Sequence, residues 1–197
     1  MMGHTTDANE IMIGVRHKPD EHIWLASLWA GFISMWRGDP LEAEHELRPA
    51  YDALKKIGEK SHFSSMAHAL ANAVYAQGRY SEAEQLTHEC ERACRANDIH
   101  SQINWRSIRA KALARRGDPN AEQLAQEAVA FAEATDFLPA HADALANLAE
   151  VLELRGEHAS AHSAAREALA LHQQKGNTLA ADQIAELLPE SGVDAQP

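Results

Sequence analysis

Residues 61–83, SHFSSMAHALANAVYAQGRYSEA, decide the fold. An apolar stretch at helical spacing runs to Gly78, and an alanine-bearing second stretch begins a few residues later. The same event recurs at Gly38, Gly117 and Gly156, so the glycines are 40, 39 and 39 residues apart. A period of this size denotes stacked helical hairpins, an architecture that presents a surface rather than enclosing an active site.

The local chemistry explains the punctuation. Segments 21–37, 61–77, 100–116 and 139–155 are each about four to five helical turns long. Glycine ends such a helix because it enters the left-handed conformation without a Cβ penalty. Asp39-Pro40 and Asp118-Pro119 supply a capping carboxylate and a proline suited to the next helix's first turn. Ser81 and Glu84 have capping-box spacing. The second helices fall near 41–57, 81–96, 121–135 and 158–175. They share a small residue where the helices cross (Ala43, Ala83, Ala121, Ala161) and another seven positions on (Ala50, Cys90, Ala128, Ala168). Leu47, Leu86, Leu124 and Leu169 fill the space around these crossings. Pro49 stands inside a second helix and is expected to kink or interrupt it.

The Gly-x-Tyr-x-x-Ala of Gly78, Tyr80 and Ala83 resembles the centre of a tetratricopeptide repeat. The resemblance covers about residues 21–175. Its later part, WRSIRAKALARRGD through HADALANLAEVLELRGE, is similar to the C-terminal arrays of bacterial ATPase-linked and nucleotide-cyclase-type regulators. The fold implied is an all-α, right-handed α-solenoid of four hairpins, residues 21–60, 61–99, 100–138 and 139–177. An N-terminal arm (1–20), a capping helix (178–189) and a disordered tail (190–197) complete the expected organisation. The first repeat is the least regular, with Pro40 in the tyrosine position and Ser34 at an expected apolar one.

In such repeats the first helix of each hairpin lines a concave groove. By spacing, the resemblance implies groove residues Trp29, Phe32, Trp36, His68, Asn72, Tyr75, Ser107, Lys111, Arg115, Asn147 and Glu150. An apolar end and a mixed polar middle suit a protein or peptide ligand. The family's two-lysine, two-asparagine clamp for a terminal carboxylate is not reproduced.

Composition narrows the partners. The chain has 197 residues, with 18 Lys+Arg against 29 Asp+Glu and a formal charge of −11. That balance argues against nucleic acid and anionic membrane surfaces, both of which demand a basic face. No apolar run approaches the roughly 20 residues of a membrane span, and the N-terminus lacks a secretory pattern. Two cysteines suit a reducing cytoplasm.

Segment 21–37 is apolar nearly all round, through Ile23, Trp24, Leu25, Leu28, Trp29, Phe32, Ile33, Met35 and Trp36. Such a helix calls for burial on more than one side, under residues 1–20, against a partner or against a second copy of the chain. The run Ile11, Met12, Ile13, Gly14, Val15 is expected to pack across the first hairpin, with a partner-facing arm as the alternative.

Arg106, Arg109, Arg115 and Arg116 form a basic cluster suited to an acidic peptide or phosphate, or to pairing with Glu122, Glu127 and Asp136; the pairing is favoured. Arg109 occupies an expected core position. His158 and His162 share a helix face but lack the context of a metal site, and Cys90 and Cys94 read as packing thiols. No phosphate loop or nucleophile elbow is present. The expectation is therefore no catalytic residue, metal or cofactor. The chain is read as a protein-binding adaptor or sensor in cytoplasmic signalling, the alternative being a homodimerising regulatory fragment of a split or truncated ATPase- or cyclase-like regulator.

Overall fold

The computed structural model describes residues 23–186 and residue 188. Among these, every regular element is an α-helix: α1 (Ile23–Trp36), α2 (Pro40–Ile57), α3 (Ser61–Ala76), α4 (Tyr80–Ala93), α5 (Ile99–Ala114), α6 (Ala121–Glu133), α7 (Leu138–Leu154), α8 (His158–Lys175) and α9 (Thr178–Ala185). The fold is an all-α solenoid of helical hairpins followed by a C-terminal helix. The expected arm (1–20), most of the expected tail-proximal segment beyond residue 186, and the tail itself lie outside the described residues.

Glycine closes the first helix of every hairpin by one hydrogen-bonding pattern. Gly38 N donates to Met35 O at 3.0 Å, and Asp39 N reaches back to Ser34 O at 2.9 Å. Equivalent pairs form at Gly78, Gly117 and Gly156. These are Schellman closures, and they require the left-handed backbone that glycine alone adopts cheaply. Gly58 and Gly176 end α2 and α8 in the same way. A count that follows only the first helices passes over that second series. All six glycines have φ between 73° and 80°.

The helix starts follow expectation in part. Asp39 accepts from Glu42 N at 3.0 Å, with Pro40 opening α2. Asp118 instead accepts from Asn120 N at 3.0 Å, and α6 begins only at Ala121. Pro119 thus lies in the turn before the helix, not in its first turn. The Ser81–Glu84 capping box is not made, because α4 begins a residue earlier, at Tyr80, and has no side-chain cap. Tyr80 packs its ring 5.1 Å from Tyr75 across the turn. Helix α2 runs through Pro49 without interruption. His45, whose carbonyl loses its helical donor there, is exposed alongside Pro49, on the outer side of the helix.

Packing rests on the small-residue rows. Ala43, Ala83, Ala121 and Ala161 are buried, as are Ala50, Cys90, Ala128 and Ala168. The described residues divide between two compact units, 1–101 and 102–197, the division falling inside α5.

In the first unit α1 packs on α2 and α3, α2 on α3, and α3 on α4. Met66, Leu70 and Val74 of α3 are wholly buried. Gly31 is the close-approach point of α1: a Cβ there would lie 2.5 Å from Leu47 Cγ. Polar side chains tie the helices together at the rim. Glu44 of α2 is bound by Arg48, Arg79 and Gln77, and Arg48 reaches Glu82 at 2.7 Å. Tyr51 donates to Glu89 at 2.9 Å, and Lys55 pairs with the same carboxylate.

The second unit is built largely from alanine. Ala110, Leu113 and Ala114 of α5 meet Ala121 and Ala125 of α6 and Val151 of α7. Leu145, Ala165, Ala168 and Ile184 form a further cluster, which fastens α9 to the α7–α8 hairpin. Burying Ile184 contributes about 2 kcal/mol to that attachment.

Candidate functional site

A groove of about 730 Å³ opens in the second unit. Its existence follows from side-chain size. Ala146 and Ala149 on α7, and Ala161 and Ala165 on α8, stop at one carbon where larger residues would fill the space. Leu154 and Ile184 complete the apolar lining, and Arg115, Asn147, Glu150, Glu153, His162 and Gln183 supply the polar part. An apolar floor with a few convergent polar groups is the common composition of a ligand site.

The polar groups are held in place by one another. Glu150 accepts from Arg115 at 2.8 Å and pairs with Lys111 at 3.4 Å, the lysine ammonium being nearly buried. Asn147 donates to the Asp143 carbonyl at 2.7 Å, which orients its amide. Glu153 lies 2.8 Å from His158 Nδ1. Of the groove residues read from sequence, the structure brings Lys111, Arg115, Asn147 and Glu150 together in this region. Ser107 is buried, and its Oγ has no hydrogen-bond partner among the described residues.

The remaining candidates lie in the first unit and differ sharply among themselves. Trp29 is 48% exposed and Trp36 is 58% exposed. Phe32 is half-buried, 5.9 Å from Trp29 in an edge-to-face contact. Burial of α1 on more than one side is therefore not what the described residues show. Asn72 is half-buried, whereas His68 and Tyr75 are buried. Burial holds the His68 imidazole well below its ordinary pKa, the neighbouring His100 adds to the effect, and the His68–His100 ring distance is 5.1 Å. A neutral, enclosed ring is a packing element, so His68 offers little to a ligand.

The groove also takes in Glu153, His162, Gln183 and Ile184, which the repeat resemblance does not point to. Nothing local marks α9 as a groove wall, because that role depends on where the helix folds back.

The basic cluster is largely committed to the protein itself. The Arg106 guanidinium lies between the Trp105 and Phe131 rings, at 4.1 and 4.3 Å, and 3.5 Å from Glu127. Arg109 is buried, 4.3 Å from the Trp105 ring. Stacking on aromatic faces explains how arginine occupies an expected core position. Cys90 is buried with its thiol 3.3 Å from the Ser64 carbonyl, while Cys94 is half-buried at the end of α4. Among the described residues no group of three or more His, Cys, Asp or Glu is arranged to hold a metal, and no helix is long and apolar enough to cross a membrane.

Comparison with known proteins bears on the repeat directly. Residues 64–95 and 141–175 match the family model described as tetratricopeptide repeat. They cover most of the α3–α4 and α7–α8 hairpins. Two of the four hairpins thus carry the repeat's sequence pattern. Two solved structures of nearly identical TPR-like repeats, from a Podosopora anserina protein described as a kinesin light chain, share the fold. One gives a TM-score of 0.55 at 17% identity over 86% of this chain and 85% of that one. The other gives 0.53 at 17% identity over 87% and 90%. At this identity the likeness establishes the fold alone. No curated protein sequence matches this one. The α7–α8 groove therefore lies within a hairpin that carries the repeat pattern by sequence as well as by shape.

Proposed function

We propose that this chain is a non-catalytic protein- or peptide-binding scaffold and that the α7–α8–α9 groove receives the ligand. The groove carries the reading: about 730 Å³ with an alanine floor and an ordered polar rim accommodates a short extended segment. Tetratricopeptide repeats generally mediate protein–protein interaction, which supports a scaffold role. On this reading the chain serves as an adaptor or sensor in cytoplasmic signalling. The test is capture of partners from native lysate on the immobilised chain, beside an Ala149→Trp variant that fills the groove. Loss of a discrete set of partners supports the reading, and identical capture overturns it.

A second reading, a homodimerising regulatory fragment of a split or truncated ATPase- or cyclase-like regulator, draws on the exposure of Trp29 and Trp36. It predicts a doubled mass by light scattering, and a monomer at high concentration would remove it.

A further inference from the structure

On the reading that the α7–α8–α9 groove is the ligand site, we propose that its ligand is helical: the aliphatic face of a partner's amphipathic helix, with a lysine or arginine on its edge. A short extended segment fits the volume, but the repeat's own packing selects a helix. The α5–α6 hairpin shows what such a face receives. Ala110, Ala121 and Ala125 pack there with Leu148, Val151 and Leu154 of the incoming α7. One period later the same places are held by Ala149, Ala161 and Ala165, and these three line the groove. Helix α9 enters as the next first helix would. It begins at Thr178, 40 residues after Leu138, and Ile184 and Leu188 pack with Leu145, Ala165 and Ala168. It then stops short. The first helices have 14 to 17 residues, whereas α9 has 8. Leu188 stands one period after Leu148, but the positions of Val151 and Leu154 correspond to Ser191 and Asp194, neither of them aliphatic and both preceded by Pro189. Among the described residues, the groove is thus the unfilled half of a first-helix slot, about two turns long.

Charge sets the rest of the ligand's pattern. Lys111 and Arg115 of α5 hold Glu150 of α7, at 3.4 and 2.8 Å. One period on, Glu150 stands in the place of Lys111, and Glu153 lies a turn further along the same groove wall. The sign at the edge is reversed, so a ligand seated as α7 is seated carries a cation where α7 carries Glu150. The stretch ANLAEVLEL of residues 146–154 therefore supplies the ligand's pattern, with lysine or arginine in place of its first glutamate. Leu148, Val151 and Leu154 fall on one side of their helix, as the anchors of a helix laid in a groove do.

The test uses a synthetic peptide copying residues 141–155 with Glu150→Lys, labelled at its N-terminus and titrated with the full chain by fluorescence anisotropy. The lysine also disfavours exchange of the peptide into the α5–α6 position, where Lys111 and Arg115 would meet it. Saturable binding that Ala149→Trp abolishes, with helix gained on mixing by circular dichroism, is the expected result. The unaltered peptide, which keeps Glu150, should bind about threefold more weakly, and Glu153→Lys in the chain should erase that preference. A lysine peptide that also carries Val151→Pro should not bind. Thermal melts establish that each chain variant is folded. Absence of binding by the lysine peptide, equal binding by the proline peptide, no preference for lysine over glutamate, or binding untouched by Ala149→Trp overturns the proposal. Lysate capture separates that failure from failure of the underlying reading. Partners lost in Ala149→Trp while the lysine peptide does not bind leave the groove a ligand site but overturn the helical ligand, whereas identical capture removes both.

Discussion

The two units repeat one hairpin and solve its packing differently. The first encloses large side chains and braces its rim with ion pairs, as Met66, Leu70 and Val74 fill α3's surroundings and Glu44 gathers Arg48, Arg79 and Gln77. The second relies on alanine, which brings helices close but leaves a groove between α7, α8 and α9. The glycine stops and the small residues at each crossing are common to both. What varies is the filling around them: the first unit has an opening of about 330 Å³ beside Phe63 and Glu89, and the second one of about 730 Å³.

The contrast can be broken most forcefully at Gly31. Gly31→Leu forces a side chain into the space held by Leu47, and it should destabilise the first unit by about 3 kcal/mol or more in denaturant titration. Ala149→Trp, directed into the groove, should cost less than about 1 kcal/mol by the same measurement. Equal penalties would mean that the second unit is as tightly filled as the first.

The ion-pair rim gives the next largest effect. Glu44→Ala removes a carboxylate shared by Arg48, Arg79 and Gln77, leaves both arginines on Glu82, and should cost about 1.5 kcal/mol at neutral pH. Burial by itself would raise the Glu44 pKa, but the hydrogen bonds from Arg48, Gln77 and Arg79 outweigh it and hold the carboxyl below its usual 4.5. Burial acts the same way on Glu82 and Glu89, and Arg48 with Arg79, and Lys55 with Tyr51, overcome it. A carboxylate lowered on folding stabilises the native state above its unfolded pKa, and that stability is lost as pH falls through the folded value. His68 works over a higher window. Its lowered pKa means that stability is present above about 6.5 and declines as pH falls below it, since the unfolded chain takes up the proton more readily. Thermal melts from pH 7 to pH 3 should therefore show two regions of decline, the upper one flattened by His68→Phe and the lower one by Glu44→Ala. A melt profile unchanged by His68→Phe would show that the buried ring does not couple folding to pH.

Smaller effects test what the units share. Gly78→Ala and Gly156→Ala have the same left-handed backbone and open space around the added carbon. Each should cost about 1 kcal/mol, and unequal values would show that the turns are not equivalent. Arg115→Ala, at the exposed groove rim, should change stability by less than about 0.5 kcal/mol. Its effect should appear instead in partner capture.

The helices and their ends were legible because their causes are local. Gly38, Gly78, Gly117 and Gly156 act on their own backbone, and alanine at 43, 83, 121 and 161 restricts which side of each second helix can approach a neighbour. The exceptions turn on side-chain contacts and exposure. Helix α4 starts at Tyr80 rather than Ser81, and α2 runs through Pro49 at a position where Pro49 and His45 are exposed. Arg109, at an expected core position, is accommodated beside the ring of Trp105, one turn earlier on the same helix. For the candidate site, Arg115, Asn147 and Glu150 could be read by register along first helices, whereas Gln183 and Ile184 could not.

The sequence by itself determined the hairpins, their period and the rows along which they pack, because helix formation, capping and glycine closure depend on residues within a few positions of one another. Only the tertiary structure decided that His68 is enclosed, that Trp29 and Trp36 face outward, and that α9 returns to wall a groove. Each of these depends on how much volume distant side chains leave between helices, and short-range spacing does not encode that quantity.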